Sequence, residues 1–174
     1  MIHNYSSSYK NVVLNPLKKE DIYKLREWRN NLDNCKYLSK LPYITVEMQE
    51  IWFEKYLNDE NEIIFSINEI LELKRTVGSV SVYNFEDSKC EVGKIMVGDE
   101  EAHNKKIGYN SMVAIINLIF EEMSYKIIYL YVYEENIPAL KIYQQLGFKI
   151  KEITNQYKKE FLMELTKEEW NHAK

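Results

Sequence analysis

Glycine, proline and cysteine are scarce in this chain and a net positive charge is lacking, and each of these excludes something. Five glycines and three prolines leave no stretch able to act as a linker. Residues 1–174 are therefore expected to form a single domain, long enough to bury a real core. Two cysteines, Cys35 and Cys90, lack metal-ligand spacing, so they read as reduced thiols of a cytoplasmic protein and no metal is expected. No apolar run is long enough to cross a bilayer, and the opening MIHNYSSSYKN has neither the apolar core nor the cleavage pattern of a signal peptide. No membrane partner is expected. The net charge of −4 argues against a general nucleic-acid binder, although it allows a small cationic patch for a phosphorylated cofactor. Repeats and low-complexity tracts are absent. Tyrosine is the one excess, at 14 residues; half-buried strand positions account for many of them, so the number assigns no function.

What is present is an ordered alternation of periodicities. Val12-Val13-Leu14 reads as a short first strand. A helix follows from Lys18–Asp21, with Ile22, Leu25, Trp28 and Arg29 at helical spacing and Asn30-Asn31 as its stop. Thr45 caps a second helix carrying Met48, Ile51, Trp52, Lys55 and Tyr56. Residues 63–67 and 76–83 alternate as strands, paired antiparallel, and 91–97 is a third. Met112, Ile115, Ile116, Ile119, Phe120 and Met123 form one apolar helical stripe. Residues 127–132 are apolar and β-rich, which predicts a central strand buried on both faces. Asn136 starts a helix with Pro138 in its first turn, and Gly147 ends it. Residues 148–150 and 161–165 close the chain as strands. The order predicts an α+β fold, a meander followed by β-α-β crossovers.

Between strand 91–97 and the helix at 112 lies HNKKIGYNSM, residues 103–112. The unpaired N–H groups of a helix start, two lysines and Gly108 could together bind phosphate. With one glycine, the same stretch is also an ordinary solvated helix start. The region after it carries more information. Asn136 to Phe148 reads N-x-x-A-x-x-x-Y-x-x-x-G-F, which resembles a signature of the GNAT family of N-acetyltransferases. The order of elements is similar too. Aligned to the family's phosphate loop, His103, Lys106 and Gly108 occupy the three defining positions, and two of them depart from the usual residues. Lys106 is tolerated there provided it avoids conformations reserved for glycine.

The resemblance implies a mixed, mostly antiparallel seven-stranded sheet with about four helices, splayed between the fourth and fifth predicted strands. It implies direct transfer of an acetyl group from acetyl-CoA to a primary amine, without metal. The pyrophosphate would lie on His103, Asn104, Lys105, Lys106, Ile107, Gly108 and Tyr109. The pantetheine arm would run beside Ile95, Met96 and Val97, with Asn136 on its other side. An amine near its unperturbed pKa must lose a proton before attack, so a base is needed. Glu91 is placed for that, or is simply a solvated strand-end carboxylate. Backbone N–H groups near Met96 and Val97 would face the oxyanion, and Tyr143 would protonate the leaving thiolate.

On the acceptor side, Trp28, Arg29 and Asn30 resemble a triplet of the ribosomal-protein N-terminal acetylases and of the acetyltransferases acting on nucleotide-linked amino sugars. Arg29 suits a bidentate anion contact or a surface ion pair. Trp28 and Trp52 suit stacking or plain core packing, and Tyr83 completes the expected acceptor surface. The favoured acceptor is a nucleotide-linked amino sugar. Alternatives are a protein N-terminus, a polyamine, an aminoglycoside, or a non-catalytic CoA-binding module. The chain is expected as a monomer or homodimer, with no nucleic-acid partner.

Overall fold

The computed structural model describes residues 2–38, 42–155 and 158–173. Its elements in chain order are β1 (Ser7–Tyr9), β2 (Val12–Pro16), α1 (Ile22–Asn30), α2 (Val46–Leu57), β3 (Glu62–Glu69), β4 (Arg75–Tyr83), β5 (Lys89–Val97), α3 (Ile107–Glu121), β6 (Ile127–Tyr133), α4 (Ile137–Gln145), β7 (Lys149–Thr154), β8 (Glu160–Thr166) and α5 (Lys167–Ala173). The strands form one sheet in the order β1-β2-β3-β4-β5-β6-β8-β7. Every neighbouring pair is antiparallel except β5 and β6.

The caps fall where their chemistry places them. Thr45 accepts from the Met48 N–H at the start of α2, and the Asn136 side chain accepts from the Ala139 N–H at the start of α4. Gly147 takes φ +91° just past the end of α4, a conformation only glycine adopts freely. The stripe on α3 is fully buried from Met112 to Phe120. It packs against Leu14, Phe65, Val80, Val92 and Leu130 on one face of the sheet. A smaller cluster of Leu25, Trp28, Phe53, Tyr56, Ile64 and Met96 lies between α1, α2 and the opposite face.

Four expectations change. An eighth strand, β1, precedes the predicted first strand; it is three polar residues tied to the core by the Ser7 hydroxyl donating to the Ala114 carbonyl at 2.8 Å. A fifth helix, α5, follows β8 and buries Trp170. Along α2 the buried face is Gln49, Phe53 and Tyr56, while Met48 and Ile51 are exposed. Finally, β6 is central but its second face is only partly covered: Tyr129 is buried there, opposite Leu130, while Tyr131 is 47% exposed.

Candidate active site

The parallel pair β5 and β6 is joined by three rungs alone: Lys89–Ile127, Cys90–Ile128 and Glu91–Tyr129. From Val92 onward β5 has no partner strand on its β6 side among the described residues, so the sheet opens into a wedge whose apex is Glu91. Backbone N–H and C=O groups along that edge, past Ile95, Met96 and Val97, are available to an extended ligand. The splay expected between these two strands is therefore present.

The wide end of the wedge is the start of α3. The first bond along the helix runs from Asn110 N–H to Lys106 C=O at 2.9 Å. The N–H groups of Ile107, Gly108 and Tyr109 precede it and have no intrahelical acceptor, and Lys106 provides no side-chain cap. A methyl placed on Gly108 would meet only Ile142 Cδ1 at 3.6 Å, so the protein itself does not require glycine there; the space is left for something else. Three free donors at a helix terminus, a bare glycine and an unpaired strand edge fit a pyrophosphate followed by an amide-bearing arm.

The loop side chains are less free than expected. The Lys105 ammonium is ion-paired with Glu72 in the β3–β4 turn, and His103 Nε2 lies 3.0 Å from the Val97 carbonyl. Asn104 and Lys106 take φ 62° and 58°. Lys106 thus sits in the left-handed region it was expected to avoid, which strains the backbone there by about 1–2 kcal/mol.

At the apex, Glu91 is 7% exposed. Its Oε1 accepts from the Tyr83 hydroxyl at 2.7 Å and its Oε2 from Asn84 Nδ2 at 2.8 Å. A side chain on Gly93 would place Cβ 2.4 Å from the Tyr83 oxygen, so glycine at 93 is what lets Tyr83 reach across β5. Burial, then the bond to Glu91, raises the Tyr83 phenol, and burial followed by the Glu91 charge raises Tyr129 to about 12. Glu160 on β8 is also raised, by burial and by Glu91. Tyr143 is 7% exposed in the core beside Phe148, ring centroids 5.9 Å apart, and burial raises it to about 12. Its phenol keeps its proton at neutral pH.

On the α1–α2 face of the sheet is a cavity of about 420 Å³. Ser79, Ser81, Ile64 and Met96 form its floor, and Arg29, Gln49 and Trp52 form its walls. Glu62 and Lys94 also line it and pair with each other at 2.8 Å. Arg29 and Trp52, expected on the acceptor side, both line this cavity. Trp28 does not: it packs in the core against Gly98, where a methyl would lie 2.2 Å from its Cγ. Asn30 is also occupied, its amide clamping both the N–H and the C=O of Ile44 at 2.8 and 2.9 Å. Tyr83 lies at the apex rather than in the cavity lining. Asn136 spends its carbonyl oxygen on the α4 cap at 3.3 Å.

The family model for an acetyltransferase (GNAT) domain matches residues 11–149. The chain belongs to the GNAT acetyltransferase family. It is by that membership an acetyl-CoA-dependent N-acetyltransferase, and the α3 terminus and β5 edge are the parts of this GNAT chain that fit the co-substrate. A curated relative, acetyltransferase PseH of Campylobacter jejuni, is 27% identical over 134 residues, spanning 77% of this chain and 80% of PseH. An uncharacterised Methanocaldococcus jannaschii protein is 26% identical over 140 residues, 79% of this chain but 28% of that longer protein. Among solved structures, spermidine N-acetyltransferase from Vibrio cholerae in complex with CoA and spermine superposes with TM-score 0.81 at 19% identity, covering 92% of this chain and 98% of the other. FdhC, a nucleotide-linked sugar GNAT, gives TM-score 0.81 at 17% identity, covering 98% and 94%. No helix among the described residues is long and apolar enough to cross a membrane, and none of their side chains cluster as metal ligands.

Several residues that line the cavity or the wedge apex leave no trace in the sequence. Lys94, Glu62, Asn84 and Tyr129 carried no motif. Ser79 and Ser81 did leave a signal: they alternate with Val80 and Val82, which marks one small polar face on a strand whose other face is core.

Proposed function

We propose that this chain acts as a single domain that acetylates the amine of a nucleotide-linked amino sugar. The observation that carries this reading is the polarity of the sheet face between the cavity and the wedge. Pairing registers place Glu62, Tyr83, Glu91 and Tyr129 in one row across β3, β4, β5 and β6. Among the described residues, the cavity end of that row holds Arg29 and Lys94 against a single carboxylate, Glu62. The apex holds Glu91 with its tyrosines. Two inter-strand spacings, on the order of 10 Å, separate Glu62 from Glu91. An acceptor with an anionic group at one end and an amine at the other matches this arrangement. A polyamine, cationic throughout, would meet two positive side chains in the cavity. The resemblance to PseH and to FdhC points the same way.

Acetyl-CoA supplies the activated acyl group as a thioester. The N–H groups of Ile107, Gly108 and Tyr109 hold its pyrophosphate, and the open edge of β5 at Ile95–Val97 orients its arm. The acceptor amine gives up a proton to the Tyr83 oxygen as Tyr83 passes its own proton to Glu91 Oε1. Glu91 acts through Tyr83 because it is buried, with the Tyr83 hydroxyl bonded to its Oε1. Tyr143 Oη holds a proton for the departing thiolate. Met96 supplies an apolar part of the cavity floor.

The test is acetyl-CoA-dependent thiol release with UDP-glucosamine, free glucosamine, spermidine and a short peptide as acceptors. Turnover should be highest with the UDP sugar, and Arg29→Ala should raise its KM about tenfold, the effect of one lost charge-assisted contact. Preferred turnover of spermidine or of the peptide would overturn the acceptor class.

A further inference from the structure

β5 does not run straight past the cavity. Gly93 pairs with Ser81 and Met96 with Ser79, so Lys94 and Ile95 together oppose Val80. This is a β-bulge, and Lys94 is the residue that bends, at φ 51°. The left-handed region disfavours any side chain but glycine's hydrogen. In an unbulged strand Gly93 and Met96 would point to opposite faces. The bulge puts both on the cavity side and brings Lys94 into the lining. Bulges beside active sites re-aim side chains in this way.

The ammonium so aimed is held lightly. Lys94 Nζ bonds Glu62 Oε1 at 2.8 Å, and the Lys94 side chain is 55% exposed. It also lies 4.7 Å over the ring of Tyr83, the residue whose hydroxyl touches Glu91. Glu62 is 15% exposed, but the ammonium it holds is open to solvent, and a pair so screened contributes little to stability. A phosphoryl oxygen in the cavity can take Lys94 from Glu62 with no change of fold, and Arg29 reaches the same space from α1.

We propose that Lys94 is a phosphate-binding residue for the acceptor, with Glu62 as the holder that the phosphate displaces. The inference rests on the acceptor class proposed above. It adds a selection step: an amine without a phosphate leaves Lys94 on Glu62 and gains no anchor.

The experiment is calorimetric titration with UDP in the presence of saturating CoA, which keeps the α3 terminus filled. Lys94→Gly removes the ammonium together with the left-handed strain, so the bulge persists; Lys94→Arg keeps the charge. Wild type and Lys94→Arg should bind UDP, and Lys94→Gly should bind about tenfold more weakly, as expected for one lost charge-assisted contact. CoA affinity should be equal in all three. Equal UDP binding by Lys94→Gly and wild type would overturn the proposal, as would no UDP binding by CoA-loaded wild type. An unchanged KM for UDP-glucosamine in Lys94→Gly removes Lys94 but leaves the acceptor class standing. Failure of wild type to acetylate any phosphorylated amino sugar removes the class itself.

Discussion

Replacing Lys106 by glycine should make the protein more stable. Lys106 precedes α3 at φ 58°, ψ 20°, where a residue with a Cβ bears about 1–2 kcal/mol of strain. Glycine removes the strain, but the unfolded chain gains freedom that offsets about 0.4–1 kcal/mol of the benefit. The net gain is about 0.5–1 kcal/mol, which for a domain of this size raises Tm by about 1–4 °C. Lys106→Ala is the control, since it loses the same charge and keeps the Cβ; its Tm should stay with the parent. Thermal melts followed by circular dichroism, with and without CoA, separate the two effects. CoA binding to Lys106→Gly should be at least as tight as to the parent, because the proposed contact is made by the N–H groups of residues 107–109. A Tm for the glycine variant at or below that of the alanine variant would refute the reasoning about strain.

Gly108→Ala should fold as well as the parent or slightly better, by up to about 1 kcal/mol from helix propensity, and bind CoA more weakly; unchanged binding by calorimetry would move the pyrophosphate elsewhere. Tyr143→Phe should lower kcat by about 10²-fold, the usual scale of a general acid, while leaving CoA affinity intact; equal loss of both would make Tyr143 a packing residue. The phenols of Tyr129 and Tyr143 are raised to about 12 by burial, so the stability they contribute is fully present below pH 10 and is lost as pH rises through 12. Urea melts from pH 7 to 11 should hold steady and then fall above pH 10, with a shallower fall in Tyr143→Phe.

Much of this architecture was legible because its signals are local. The α3 stripe, the Thr45 and Asn136 caps and Gly147 each follow from side-chain chemistry within one or two turns of helix. The wedge was legible only through resemblance, since nothing in residues 91–97 or 127–132 says where pairing stops. What escaped the sequence is what depends on partners far along the chain. β1 exists because Ser7 finds the Ala114 carbonyl. Gln49 is buried and Met48 exposed, yet both line the cavity beside the sheet, a setting that helical spacing does not reveal. Trp28 and Asn30 looked like acceptor residues from their neighbours in sequence, but Gly98 and Ile44 claim them in space. Lys94 was hidden because a bulge has no period, although Gly93 beside it, bare for Tyr83, lies at the same irregularity.

The three rungs between β5 and β6 have a mechanical consequence. They divide the sheet into a five-stranded plate and a three-stranded plate, hinged at Glu91 and kept together below by α3 and α4. A molecule lying in the wedge touches both plates at once and acts as mortar between them. Loading the co-substrate should then slow amide exchange along residues 92–97 and 129–133 together, although the two segments share no hydrogen bonds beyond the hinge. The seam between the two plates is thus also the line along which the proposed chemistry runs.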